Sequence, residues 1–348
     1  MNHIIAFDTP LFTEEYEFQQ VLAIPPSFKR SLILLFKHKR TGKEVVVKCV
    51  QDDKEVVVLH KVEKMRKTLE GTMGAEFIRS HGYCKISDPF VSPDYKYAIA
   101  LYIQAKEKET KRKIKIPNDV YSSSYSSVDY YAIIMDSVPL SFEQLKEEEG
   151  FRQEKAIMIG FELLYTLWLA RKQFQFFHGD LQASNIMFRY VEEPEKKTRR
   201  YVVGGKTFVV KYKYKVVIID YEKSLFSNLD DKKFKENFSD VRRVVRDIMD
   251  GELRVDREGA FLDLYDLVGR EGWNDSRFTP ENIEQILTDP QGVFATLEYT
   301  QGGGESNMKK IKFCMECKTV EATLKCNQCG VPVCSSKCWN KIKTCKEH

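Results

Sequence analysis

The sequence predicts an α+β fold followed by a small cysteine-rich module. Short apolar segments bounded by turn residues recur in residues 1–136 and indicate strands. Long segments with apolar residues every three or four positions recur in residues 137–300 and indicate helices. Residues 301–309 contain three adjacent glycines and predict a flexible linker. Residues 310–348 hold seven of the nine cysteines and are expected to form a separate module.

The composition limits the classes of function. A chain of 348 residues has room for two or three domains with a substantial core, and 43% hydrophobic residues suit a soluble globular protein. The net charge of +4 is small for this length and gives no overall sign of nucleic-acid binding. No apolar run could span a bilayer, and the first residues lack the segments of a signal peptide. We therefore expect no membrane partner and a reducing compartment, cytoplasmic or nuclear, rather than secretion.

Three strands are predicted first, at residues 16–22, 32–36 and 44–50, because these segments are rich in β-branched and aromatic residues. Lys48 lies near the end of the third strand. The connection between the first two strands, residues 23–30, contains two adjacent prolines and no glycine. Glycine lets backbone N–H groups approach a phosphate closely, so this connection weakens the case for nucleotide binding.

A helix is predicted to follow, capped by Asp52 or Asp53. Its apolar residues recur at spacings of three and four, namely Val56, Leu59, Val62, Met65 and Leu69. Residues 77–86 and 97–103 are predicted strands. Residues 106–115 carry six basic and two acidic side chains. Together with the serines at 122–127 they predict a mobile insertion, and a solvated loop is favoured over a patch for an acidic ligand.

The elements expected after residue 130 include one hairpin insertion among several helices. They are a strand at 130–135, a short helix from Ser141, a long helix at 153–172, a hairpin within 190–215 around Gly204 and Gly205, and helices at 239–248 and within 251–300. Cys49 and Cys84 stand apart from the other cysteines, and we expect both to be buried thiols.

One loop and one strand carry the chemistry. The loop is His178-Gly179-Asp180-Leu181-Gln182-Ala183-Ser184-Asn185-Ile186, and an apolar strand ends on Asp220 forty residues after Asp180. Phosphoryl transfer to a hydroxyl needs a carboxylate beside the attacking oxygen and oxygen donors that hold magnesium on the nucleotide phosphates. Asp180 fits the first role, and Asn185 and Asp220 fit the second.

This loop and the acid after the strand resemble the catalytic loop and metal-binding acid of the protein-kinase-like superfamily. The resemblance implies a bilobal fold, with residues 1–136 as the N-lobe and 137–300 as the C-lobe. It also implies ATP and Mg²⁺ as cofactors.

The resemblance assigns roles to further residues of the first lobe. Lys48 ends a Val-Val-Val-Lys strand that is similar to the kinase strand whose lysine holds the α- and β-phosphates. Glu55 is the first choice for the glutamate that pairs with this lysine, and Glu63 is the second. Met135 ends the strand before the hinge and is expected to lie beside the nucleotide. Asp240, on the next core helix of the second lobe, would brace the backbone of the catalytic loop.

The favoured function is therefore an atypical serine/threonine protein kinase, similar to kinases of large DNA viruses, whose insertions resemble the one at 190–215. Two other functions stay open. Tyr221 and Glu222 replace the usual Phe-Gly, and only 19 residues separate Asp220 from Asp240, so the chain also resembles choline and ethanolamine kinases, which act on small molecules. The glycine-free connection favours a catalytically weak adaptor with a kinase-like fold.

The cysteine-rich module has the spacing of a zinc-binding finger. Its eight candidate ligands can form two four-coordinate sites, and they are Cys314, Cys317, Cys326, Cys329, Cys334, Cys338, Cys345 and His348. A segment this short buries too little surface to fold alone, so two Zn²⁺ ions would supply the missing stability.

The same spacing resembles a MYND-type finger, in which ligand pairs interleave. The resemblance implies that the first, second, fifth and sixth of these ligands hold one zinc and that the other four hold the second. Fingers of this type end on histidine then cysteine, and here that order is reversed. They bind short proline-containing peptides, so we expect a protein partner or protein substrate at the finger. Binding to nucleic acid ranks below peptide binding.

Overall fold

The computed structural model confirms an α+β fold, with mixed helices and sheets. It describes residues 5–7, 14–24, 31–51, 53–86, 89–90, 93–111, 113, 130–147, 153–227, 240–244, 279–290, 292–298, 324–325 and 332–333. In chain order the strands are β1 (Ile5–Phe7), β2 (Tyr16–Ala23), β3 (Leu32–His38), β4 (Glu44–Val50), β5 (Glu76–Phe77), β6 (Ser80–Ile86), β7 (Tyr130–Asp136), β8 (Leu140–Ser141), β9 (Phe176–Phe177), β10 (Ile186–Tyr190), β11 (Thr198–Val203), β12 (Lys206–Lys211), β13 (Tyr214–Ile218), β14 (Leu225–Phe226), β15 (Leu324–Lys325) and β16 (Pro332–Val333).

The helices pack against two main sheets. They are α1 (Lys54–Leu69), α2 (Pro93–Thr110), α3 (Phe142–Glu147), α4 (Gln153–Phe174), α5 (Asp240–Arg243) and α6 (Pro280–Thr288), with 3-10 turns at Ala183–Asn185, Pro194–Lys197 and Val293–Leu297. No described helix is both long enough and apolar enough to cross a membrane.

The first sheet has six strands in the order β1-β6-β7-β4-β3-β2. All of its neighbouring strands are antiparallel except β1 and β6. This sheet contains the three predicted strands of residues 16–50. Cys49 and Cys84 lie on it and are each 1% exposed, as predicted. Burial raises the pKa of both thiols, that of Cys84 to about 11.

The prediction of a strand at residues 97–103 is wrong, because this segment belongs to α2. Ile99 and Ile103 are four residues apart, so they lie on one helical face and are buried against the first sheet. Tyr97 and Leu101 are 73% and 47% exposed on the other side. The apolar residues of this segment fit the spacing of a helix as well as that of a strand. Packing of Ile99 and Ile103 against the first sheet favours the helix. Residues 106–110, predicted as part of a mobile insertion, form the end of α2.

The second sheet has the order β5-β13-β10-β8 and lies against the long helix α4. The predicted hairpin is confirmed as β11 and β12, with Gly204 and Gly205 at positive φ in the turn. The link between α1 and β5 docks on α4. There the Ala75 N–H donates to Thr166 Oγ1 at 2.7 Å, and a Cβ on Gly74 would lie 2.6 Å from the Glu162 carbonyl oxygen. Only glycine allows this close approach.

Several predicted features lie outside the described residues. These include most of the glycine-free connection, the serine-rich part of the insertion, residues 245–278, the linker and the eight zinc-ligand candidates. Within the cysteine-rich segment the structure describes β15 and β16, which form a short antiparallel pair. The boundaries between the four predicted segments therefore stay predictions.

Candidate functional site

Lys48 lies in the middle of the first sheet. Its strand, β4, runs between β3 and β7, and Lys48 pairs in register with Ile33 and Ile133. The run of β-branched residues around it favours a central strand with burial on both faces. Lys48 is consequently 7% exposed, and so little exposure requires partners for its ammonium group.

Two carboxylates provide those partners. The Lys48 Nζ lies 2.8 Å from Glu55 Oε1 in the first turn of α1 and 2.7 Å from Asp220 Oδ1 just beyond β13. Glu63, the second candidate for this pairing, lies two turns further along α1 and pairs with Arg66 at 2.8 Å. The preferred partner in the sequence analysis, Glu55, is the one that the structure brings to Lys48.

The charges of this cluster depend on burial and pairing together. Burial lowers the pKa of Lys48, but Glu55 and Asp220 outweigh it and hold that pKa above the usual value. Burial raises the pKa of Asp220, and Lys48 reverses this effect and keeps it below the usual value. Burial raises the pKa of Glu55 despite Lys48. The cluster therefore contains a firmly charged lysine and aspartate at neutral pH.

Asp220 and Asn185 are held side by side by the backbone. Ile219 donates its N–H to the Asn185 carbonyl oxygen at 3.0 Å. Asp220 follows with a φ of 66°, in the left-handed region that aspartate tolerates better than most residues. The Asn185 side-chain nitrogen donates to the Asp180 carbonyl oxygen at 2.7 Å. Asn185 is thus joined by its backbone to the residue before Asp220, and Asp220 contacts Lys48. The side-chain oxygens of both residues are of the type that Mg²⁺ prefers.

Asp180 is held by two cations. Its Oδ2 accepts from Lys223 Nζ at 2.8 Å, and its Oδ1 accepts from the Arg243 guanidinium. Burial raises the pKa of Asp180, and these two hydrogen bonds outweigh it and hold the pKa below the usual value. Asp180 is therefore a carboxylate that stays ionised at neutral pH.

The loop that carries Asp180 is fixed by Asp240. The buried carboxylate of Asp240 accepts from the backbone N–H groups of His178 at 2.8 Å, Gly179 at 3.0 Å and Leu181 at 3.3 Å. Gly179 has a φ of 80°, a conformation that glycine adopts without strain. Asp240 therefore braces the loop backbone, the role that the sequence analysis expected for it.

A column of rings joins this loop to the first part of the chain. His178 and Tyr221 have ring centroids 5.9 Å apart, and those of Tyr221 and Phe77 are 6.2 Å apart. The Tyr221 hydroxyl donates to the Ile218 carbonyl oxygen at 2.8 Å. Tyr221 follows Asp220 directly and packs between His178 and Phe77, so these rings help to fix the position of Asp220.

Met135 lies on β7, two residues after the strand partner of Lys48, and is half-buried. The next residue, Asp136, is the centre of a charge network, with Lys43 at 3.0 Å, His81 at 2.8 Å and Arg189 at 3.2 Å. Burial raises the pKa of Asp136, but hydrogen bonds from His81 and Lys43 hold it well below the usual value. This network ties the strand before the predicted hinge to β10 of the second sheet.

Sequence reasoning did not find Lys223, Arg243, Phe77 or the ring of Tyr221. Lys223 lies three residues after Asp220 and Arg243 three after Asp240, so closeness to the motifs was the one available signal. Within the described residues no group of three or more histidine, cysteine, aspartate or glutamate side chains could hold a metal ion. The two candidate Mg²⁺ donors, Asp220 and Asn185, are one aspartate and one asparagine, so they do not form a group of this kind.

Comparison with protein-family models finds no match to this chain, and comparison with curated protein sequences finds none. We therefore infer function from the geometry of five residues, namely Lys48, Glu55, Asp220, Asn185 and Asp180.

Proposed function

We propose that the chain is an ATP- and Mg²⁺-dependent phosphotransferase of the protein-kinase-like superfamily, acting on serine or threonine hydroxyls of proteins. The observation that carries this proposal is the buried Lys48, 2.8 Å from Glu55 and 2.7 Å from Asp220. Three charged groups from β4, α1 and the end of β13 converge there. Burying the ionisable side chains of Lys48 and Glu55 costs desolvation energy, so a functional role is the simplest account of their position beside Asp220.

Each residue has a chemical task in this proposal. Bound Mg-ATP would supply the phosphoryl group. Lys48, fixed by Glu55, would bind the α- and β-phosphates, and Asn185 and Asp220 would bind the metal through their oxygens. Asp180 would orient the acceptor hydroxyl and accept its proton. For this, one oxygen of Asp180 must exchange Lys223 or Arg243 for the hydroxyl.

Nucleotide binding is the first test of the proposal. Mg-ATP at a hundred times its dissociation constant is expected to stabilise the protein by about 2.7 kcal/mol in a thermal-shift measurement. Asp220→Asn is expected to remove the part of this shift that requires Mg²⁺. Glu192→Gln, a change at an exposed glutamate after β10, is the control and should leave the shift unchanged.

The outcomes separate the candidate functions. A Mg-ATP shift with labelling of protein substrates supports a protein kinase. A shift with labelling of choline or ethanolamine supports a small-molecule kinase, which is favoured by the 19 residues between Asp220 and Asp240, since they leave little surface for a peptide. No shift and no labelling would contradict the enzyme proposal and favour an adaptor.

The pH profile tests the role of Asp180. Because Lys223 and Arg243 hold its pKa below the usual value, Asp180 stays deprotonated, and active as a base, to lower pH than an ordinary aspartate. Lys223→Met is expected to raise the pKa of the acidic limb in a plot of kcat/KM against pH. Lys211→Met, at an exposed lysine on β12, should leave the limb unchanged. An identical acidic limb in all three proteins would contradict the assignment of Asp180 as the base.

The cysteine-rich module is proposed to bind two Zn²⁺ and to recruit a protein partner or substrate. Elemental analysis is expected to find about two zinc ions per chain, and Cys334→Ser should lower this number, whereas Ser336→Ala should not. Removal of residues 310–348 should raise KM for a protein substrate and leave turnover of a small acceptor unchanged. A zinc-free protein with disulfides under native conditions would contradict both the finger and the reducing compartment.

A further inference from the structure

A second charged site lies away from the Lys48 cluster. A cavity of about 420 Å³ opens between the end of α1, the second sheet and strand β11. Its cationic lining residues outnumber the acidic ones, and they are Arg66, Arg79, Arg189, Arg199, Arg200 and Lys215. The lining acids are Glu70, Glu76 and Asp136. None of the five residues proposed for phosphoryl transfer lines this cavity, which we call the basic pocket.

Two positively charged side chains lie next to each other where the second sheet lines the basic pocket. Arg189 on β10 and Lys215 on β13 are direct partners across the antiparallel strands, so their side chains share one face of the second sheet. Like charges in directly opposed positions destabilise a sheet. Arg189 is partly compensated by Asp136 at 3.2 Å and Glu76 at 3.6 Å.

Lys215 has less compensation than Arg189. Its ammonium group donates to the Met73 carbonyl oxygen at 3.3 Å, and within the described part of the chain no carboxylate oxygen lies within 4.0 Å of it. Burial lowers the pKa of Lys215, and the positive charge of Arg199 lowers it further, against the opposing effect of Glu162 and Glu76. A half-buried ammonium among other cationic side chains, bonded to one carbonyl, is a group whose energy an anion would lower.

Two arginine side chains that line the basic pocket are held in place by hydrogen bonds within the protein. The Arg199 guanidinium donates to Glu162 Oε1 at 2.5 Å and to the carbonyl oxygens of Tyr212 and Tyr214, each at 3.1 Å. Arg66 donates to both carboxylate oxygens of Glu63, at 2.9 and 2.8 Å. Side chains already held in one rotamer lose little entropy on binding, which favours affinity.

We propose that the basic pocket binds a phosphate-bearing ligand of small-molecule size. Proteins bind phosphate with arginine, which donates in pairs, and with lysine, which supplies a compact charge. In the basic pocket Lys215 and the exposed Arg79 would take these roles, since Arg66 and Arg199 already donate to Glu63 and Glu162. The cavity volume falls in the range of about 300–1,000 Å³ that is typical of small-molecule sites. This inference does not depend on the proposed kinase activity.

The test is calorimetric titration of the full chain with tripolyphosphate in the absence of Mg²⁺. The protein carries Lys48→Met, so that an anion cannot use the lysine of the other cluster. Saturable binding is expected, and Lys215→Met in the same background should weaken it about 10- to 100-fold, the loss expected for one charged hydrogen bond. Lys211→Met removes an equal charge outside the lining residues and should leave the dissociation constant unchanged.

Three results would overturn the inference. One is loss of binding on introduction of Lys48→Met, which would place the anion at the Lys48 cluster. The second is equal weakening by Lys215→Met and Lys211→Met, which would indicate unspecific attraction. The third is no saturable binding of tripolyphosphate in any of these proteins. Should Lys215→Met fail to fold, Arg79→Gln replaces it, since Arg79 is an exposed lining residue and its truncation does not disturb the core.

Discussion

Asp180→Asn is expected to lower kcat for phosphoryl transfer about 10²- to 10⁴-fold, the usual contribution of a positioned acid or base. The reason is that asparagine keeps the size of the side chain but cannot accept the hydroxyl proton. The fold should persist, because Asp180 pairs with Lys223 and Arg243, which are 56% and 29% exposed. Ion pairs with exposed cations contribute about 0–1 kcal/mol to stability. Single-turnover measurement of phosphate transfer, with the thermal midpoint recorded beside it, gives both quantities.

Two controls make this result specific. Glu192→Gln applies a similar change to an exposed acid and should leave both kcat and the thermal midpoint unchanged. Binding of Mg-ATP to the Asp180→Asn protein should also stay near the wild-type value, since Lys48, Asn185 and Asp220 are intact. An Asp180→Asn protein that transfers phosphate at the wild-type rate would show that another group accepts the proton.

The Lys48 cluster was predictable because each member lies beside a strong local pattern. Lys48 ends a run of valines, Asp220 ends an apolar strand, and Glu55 opens a helix with one apolar face. Such patterns indicate whether a segment is a strand or a helix. The type of segment then determines the direction in which the side chains near its end point. The choice of Glu55 over Glu63 followed from its place in the family pattern, and the structure places Glu55 at Lys48.

The partners of Asp180 were not predictable by the same means. Lys223 and Arg243 are charged residues among many in this chain, and they lie 43 and 63 positions after Asp180. Their approach depends on how β13, β14 and α5 pack beside the loop, which no local periodicity encodes. The basic pocket was not predictable for the same reason, since its cations come from α1, the link between β5 and β6, β10, β11 and β13 and converge only in the folded chain.

Replacement of Asp240 by asparagine is expected to have the largest effect on stability among the proposed variants. Asp240 is 1% exposed and accepts three backbone N–H groups of the loop, and its Oδ2 lies 3.7 Å from the Arg171 guanidinium. Asparagine replaces one acceptor oxygen with a donor that faces these N–H groups, and it removes the negative charge that lies 3.7 Å from the buried Arg171 guanidinium. Breaking a buried charge pair in this way costs about 3–5 kcal/mol of unfolding free energy.

Denaturant unfolding measures this loss, and phosphoryl transfer at low temperature measures its consequence. Because the loop that Asp240 braces carries Asp180, the folded fraction of the variant should also show a reduced kcat, whereas Mg-ATP binding through Lys48 and Asp220 should change less. Asp53→Asn is the matched control, since Asp53 is exposed at the start of α1 and its side chain makes no capping hydrogen bond. Its effect should stay within about 1 kcal/mol, the usual size of a charge effect at a helix end. Equal unfolding free energies for the two variants would show that the loop holds its shape without Asp240.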